Sequence, residues 1–114
     1  MYEIEYYKNP KGNCPVKEFI NSLEPKMRAK VFSRLELLEE YGSLLGMPMA
    51  KPLKDGIYEL RTVQGNNITR ILYFFVVGKK IILTHGFVKK TQKTPAKEIE
   101  RAMKLRQDWR SRNE

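Results

Sequence analysis

The sequence predicts an α+β domain: a strand, a helical hairpin, a three-strand meander and a last helix. Three observations carry this. Residues 2–7 alternate with period two, Tyr2, Ile4 and Tyr6 against Glu3 and Glu5. Residues 16–38 carry two apolar stripes at helical spacing. Residues 57–87 hold three apolar runs joined by turns short enough to force antiparallel neighbours. The expected order is β-α-α-β-β-β-α in a single domain, 1–114. The N-terminal helical hairpin packs on one face of a small antiparallel sheet, and a C-terminal helix follows.

The elements follow in order. After the first strand, Asn9-Pro10-Lys11-Gly12-Asn13 is turn chemistry. Val16, Phe19, Ile20 and Leu23 fall at i, i+3, i+4 and i+7, with Pro15 suited to a first helical position. A second helix starts near Pro25, its stripe formed by Met27, Val31, Leu35 and Leu38, and Gly42 is a natural stop. Residues 43–56 contain two Pro and two Gly and read as a loop. Ile57–Val63, Ile68–Val77 and Lys80 to about Phe87 are the meander strands. The run Ile71–Val77 is apolar throughout, as in a central strand buried on both faces. Thr94 is a good N-cap and Pro95 a good first residue for a helix reaching about Arg112.

The 114 residues include 22 Lys+Arg against 13 Asp+Glu, one Cys and one His. One cysteine makes no internal disulfide, and one Cys plus one His cannot supply the four ligands of a structural zinc site. No apolar run approaches the roughly 20 residues that span a bilayer. The first residues carry glutamates and no apolar core of a signal peptide, so a cytoplasmic protein without membrane contact is expected. The net charge of +9 is uneven. Residues 1–50 hold seven basic and seven acidic residues, and residues 51–114 hold fifteen and six. Clustered excess of this kind fits nucleic acid, an acidic protein partner or simply a basic surface.

Strand parity places Arg70 with Leu72 and Phe74, Arg61 with Ile57 and Glu59, and His85 with Ile81 and Leu83. Register decides whether the three converge. Arg70 opens a very apolar strand, where it either clamps a phosphate with its planar fork or pairs with Glu59. Arg61 follows the same logic. A lone His is more often structural, and Lys89-Lys90-Thr91-Gln92-Lys93 is either a solvated loop or a set of phosphate contacts. Phosphate-binding glycine loops, the HExxH helix and the GxSxG elbow are all missing. Carboxylates are few in the second half, so a nuclease built there would be metal-free and cationic.

Three stretches carry a resemblance: Ile57-Tyr58-Glu59-Leu60-Arg61, Thr69-Arg70-Ile71-Leu72-Tyr73-Phe74, and the segment from His85-Gly86-Phe87 through Lys93-Thr94-Pro95. Together they resemble the RelE/ParE superfamily of toxins, in particular its HigB branch, related to phage Gp49-like proteins. Element order and length match over nearly the whole chain. The resemblance implies a RelE-like fold and the toxin of a type II toxin–antitoxin system. Such a toxin is an endoribonuclease that cuts mRNA in the ribosomal A site. It uses no cofactor or metal, and the ribose 2′-OH attacks the scissile phosphate. A cognate antitoxin, in the HigB branch usually a helix-turn-helix HigA-like protein, silences the toxin, and operator DNA is contacted only through that complex.

By position, the resemblance makes Arg70, Arg61 and Lys89 or Lys90 active-site candidates; His85, the single histidine, joins Arg70, Arg61 and Lys89 as a catalytic candidate for a proton role, and Lys90, Lys93, Lys54 and Lys97 are the candidate RNA contacts. The general base stays open: many RelE-like enzymes place a catalytic tyrosine near the C-terminus, and none follows Tyr73 here. A ParE-like DNA gyrase inhibitor without nuclease activity and a non-catalytic nucleic-acid-binding module are the alternatives.

Overall fold

The apolar run beginning at Ile71 needs cover on both faces, and the fold supplies two different covers. The computed structural model describes residues 1–89 and 92–114. Along the chain run β1 (Glu3–Tyr6), α1 (Pro15–Asn21), α2 (Pro25–Tyr41), a single 3₁₀ turn (Gly42–Leu44), β2 (Ala50–Lys54), β3 (Ile57–Gln64), β4 (Asn67–Val76), β5 (Lys80–Lys89) and α3 (Ala96–Asn113). The sheet order is β1-β5-β4-β3-β2, which puts β4 in the middle.

On one face α1 and α2 lay Val16, Ile20, Met27, Val31, Leu35 and Leu38 over Leu60, Ile71, Tyr73, Ile81 and Leu83. On the other, α3 lays Ala102 and Trp109 over Ile57, Leu72, Phe74 and Ile82. The Trp109 indole packs edge-on against Phe74 and donates its Nε1–H to Glu5 Oε2 at 2.7 Å. A buried indole needs such a partner for its polar end. Alternation along β4 therefore feeds two cores, and Ile71 to Phe74 are all buried.

Three expectations need correction. The sheet is mixed: β2 to β5 are antiparallel neighbours, but β1 pairs parallel with β5. Short turns force antiparallel pairing only between strands they join. β1 reaches the sheet from the far side of the helical hairpin, so no turn constrains its direction. The segment expected to be a loop contains β2, an edge strand that tolerates Pro52 where a central strand would not. It turns into β3 through Asp55-Gly56, both at positive φ (51° and 80°), the backbone of a tight hairpin turn. Finally, α3 begins at Ala96 with Pro95 as its flanking residue, and no side chain caps it. The Thr94 hydroxyl is engaged elsewhere.

One irregularity moves a predicted site residue. The β4–β5 register slips between Leu72, opposite His85, and Tyr73, opposite Leu83, so Thr84 is the extra residue of a bulge. Beyond it the parity of β5 reverses. His85 and Phe87 share the α3 face with Ile82, not the face of Ile81 and Leu83. Gly86 then points at α1, where any Cβ would lie 2.4 Å from the Phe19 ring.

Candidate active site

Strands β3 and β4 place Arg61 and Arg70 directly opposite each other on the α3 face. Two register pairs along, Glu59 stands opposite Leu72 on the same face. Arg70 is buried, at 5 % exposure, and Glu59 at 1 %. The Arg70 Nη1 donates to Glu59 Oε2 at 2.5 Å and to Thr94 Oγ1 at 3.0 Å. The Thr94 hydroxyl in turn donates to Glu59 Oε1. A closed triangle of guanidinium, carboxylate and hydroxyl thus forms at the point where the chain enters α3. Of the two readings of Arg70, the pairing with Glu59 is the one seen here, and the edge that carries its Nε makes no hydrogen bond among the described residues.

That edge is the unusual part. Among the described residues, Nε of Arg70 and Nε of Arg61 are buried without a hydrogen-bond partner. Buried donors are nearly always paired, and a guanidinium N–H left orphaned is costly. Two such donors lie on facing residues beside one pocket of about 360 Å³, lined by Arg61, Arg70 and Lys89 together with Asn66, Asn67 and Gln92. Donors of this kind are satisfied by the acceptor oxygens of an anion.

Lys89 completes the cationic set. The sequence leaves it in either a solvated loop or a set of phosphate contacts. It is the last residue of β5, 6 % exposed, and its Nζ donates to the Gln92 carbonyl. Burial pushes its ammonium below the ordinary lysine range, and the positive charges of Arg70, Lys51 and Arg61 push the same way against Glu59. Lys51, opposite Glu59 on β2, thus belongs to the same cluster. Sequence reasoning missed it because β2 was read as loop. The Asp55-Gly56 pair was the available hairpin signal.

The other predicted residues are dispersed. His85 is on the right face but outside this pocket. Its Nε2 donates to Glu98 Oε1 at 3.1 Å, its Nδ1 lies 3.1 Å from Thr84 Oγ1, and its ring stacks on Phe87. Burial, and then Arg101, lower its pKa, so the ring is neutral near neutral pH. It borders a separate pocket of about 280 Å³ with Arg101, Asn9 and Asn13. Lys54 is exposed at the far end of β2, opposite Ile57, four positions along β3 from Arg61, or roughly 13 Å of strand. Lys93 and Lys97 are exposed on the approach to α3 and on its first turn. Lys90 lies outside the described residues. A larger pocket of about 480 Å³ beneath β1 and α1 mixes Tyr6, Phe32 and Cys14 with Glu5 and Lys17 and gathers no cluster of one charge.

No helix of the described residues is long and apolar enough to cross a membrane. No curated protein matches the chain. A family model described as "Phage derived protein Gp49-like (DUF891)" matches residues 18–107, from the first helix through most of α3. The stretch contains every residue of the cationic pocket. Its RelE/HigB-like membership accounts for the α+β architecture and points to a toxin with a cognate antitoxin. The chain belongs to the Gp49-like phage-derived protein family, a family of RelE/HigB-like toxins.

Proposed function

We propose that this chain is the toxin of a type II toxin–antitoxin pair and acts as a ribosome-dependent mRNA endoribonuclease in the cytoplasm. The observation that carries the reading is the facing pair Arg61 and Arg70, each with a buried Nε–H lacking a partner, beside a pocket shared with Lys89. This is a receptor for a phosphate diester in a nucleic-acid chain.

The chemistry follows from the side chains present. The ribose 2′-hydroxyl releases its proton to water as its oxygen attacks the adjacent phosphorus, the P–O5′ bond breaks, and the products are a 2′,3′-cyclic phosphate and a 5′-hydroxyl. Arg61 and Arg70 oppose the negative charge that grows on the phosphorane oxygens, where fixed donors act most strongly. Lys89, with its proton loosened by burial and by neighbouring cations, gives that proton to the leaving 5′-oxygen. Lys51, Lys93 and Lys97 contact flanking phosphates. His85 acts at a distance, fixing the first turns of α3 through Glu98.

A pocket of this size takes one nucleotide, so the rest of the substrate must be held by something else, which favours mRNA presented by the ribosome. The partner is a helix-turn-helix, HigA-like antitoxin, and operator DNA is engaged through the complex. Mapping RNA 5′ ends after brief induction tests the proposal. Codon-linked cuts with wild type and none with Arg61→Gln support it. Intact mRNA with an SOS response would replace it with gyrase inhibition.

A further inference from the structure

In the triangle around Arg70, one guanidinium nitrogen, Nη1, serves both Glu59 and Thr94. The Nε–H is left over, buried and unpaired. Glu59 is itself held at both oxygens, one by Arg70 and one by Thr94. The carboxylate is therefore held at both of its oxygens beside the guanidinium. A lone Glu59–Arg70 contact would leave the fork free to rotate about Nη1. The hydroxyl of Thr94 removes that freedom. The segment leading into α3 is held at two points, the Thr94 side chain on Glu59 and Arg70 and, two residues earlier, the Gln92 carbonyl on Lys89 Nζ.

We propose that Glu59 and Thr94 are positioning residues that hold the Arg70 fork with its Nε edge toward the phosphate site. The inference rests on the nuclease reading for its consequence in catalysis, but the orientation of Arg70 is measurable without it. Glu59 opposes the cationic pocket electrostatically. Removing its charge therefore makes anion binding tighter while releasing Arg70 from its productive orientation. Affinity and rate then move in opposite directions, which the loss of a merely structural contact does not produce.

The test uses the full chain as wild type, Glu59→Gln, Thr94→Val and Thr94→Ser. The Arg70 side-chain Nε–H resonance is followed during titration with inorganic phosphate, and single-turnover mRNA cleavage is measured on programmed ribosomes. The wild-type Nε–H should be slow to exchange and shift on phosphate addition. Thr94→Val should lose the ordered Nε–H signal and slow cleavage on the order of 10²-fold, as expected for a misplaced group. Thr94→Ser should restore both. Glu59→Gln should bind phosphate more tightly yet cleave more slowly. A folded Thr94→Val with the wild-type Nε–H signal and phosphate shift overturns the proposal, as does a Glu59→Gln variant that binds phosphate more weakly. If wild type cuts no mRNA, the nuclease reading fails, and the resonance and titration arms still decide the positioning role.

Discussion

Arg61 and Arg70 are register partners on adjacent antiparallel strands, so two guanidinium groups face each other across β3 and β4. Like charges directly opposite destabilise a sheet. Glu59 answers only one of them, through Arg70. The arrangement is poor for stability and good for holding an anion. Inorganic phosphate should therefore raise the melting temperature of the wild-type chain, with a stabilisation that grows as RT ln(1 + c/Kd) at free phosphate concentration c. Arg61→Gln should be slightly more stable without phosphate, by about 0.2–1 kcal/mol, and lose the phosphate response. Thermal melts with and without phosphate at fixed ionic strength measure both effects.

Removing Arg70 has a second consequence, because it leaves Glu59 buried and uncompensated. Arg70→Ala should cost about 3–5 kcal/mol in stability. Its loss of toxicity alone would be ambiguous. The double variant Glu59→Gln/Arg70→Met should recover most of the stability and none of the growth arrest. Denaturant unfolding beside a growth assay separates the two.

Lys89 offers a cleaner separation of binding from chemistry. Lys89→Arg keeps the positive charge but replaces the loosened proton with one a guanidinium does not release. RNA affinity should change little, while single-turnover cleavage should fall by about 10²–10⁴-fold. Equal cleavage by the variant would remove Lys89 from the proton-transfer role.

His85 makes stability depend on pH. Burial and Arg101 hold its pKa below the ordinary value of about 6.5, so on acidification the unfolded chain takes up the proton first. The contribution is complete above about 6.5 and declines as the pH falls below it toward the folded-state pKa. Glu98 and Thr84 face the ring and Phe87 stacks on it, so His85→Gln keeps a polar partner at the site. Urea unfolding at pH 7.5 and 5.5 should show a smaller pH difference for His85→Gln than for wild type.

Gly42 is a test of the scaffold alone. It ends α2 at φ 53°, and a Cβ there would lie 2.0 Å from the Tyr2 ring. Gly42→Ala should cost about 2–5 kcal/mol from backbone strain and overpacking together. Gly12→Ala, also at positive φ but with nothing near its Cβ, should cost less.

Much of this molecule was legible in the sequence, and the exceptions share a cause. Helical stripes such as Met27, Val31, Leu35 and Leu38 are local signals, and they fell on α2 as expected. The long apolar run of β4 announced a strand covered on both sides. What stayed hidden depended on register and on contacts distant in sequence. The bulge at Thr84 put His85 on the α3 face, and no local pattern encodes it. Thr94 carries the sequence of a helix cap, but its hydroxyl joins Glu59, 35 residues away. Lys89 could be a solvated loop residue or a phosphate contact by sequence, and its place at the buried end of β5 came only with the sheet. Arg61 and Arg70 could be named from sequence as candidates for phosphate binding, but that they face each other with orphaned donors required the paired strands.

The central claim is tested most directly with purified chain, a programmed ribosome and end-labelled mRNA in the presence of EDTA. The account predicts a cut in the A-site codon that leaves a 2′,3′-cyclic phosphate and a 5′-hydroxyl, lost in Arg61→Gln and slowed in Thr94→Val. Uncut mRNA from wild type, or equal cutting by Arg61→Gln, would contradict it.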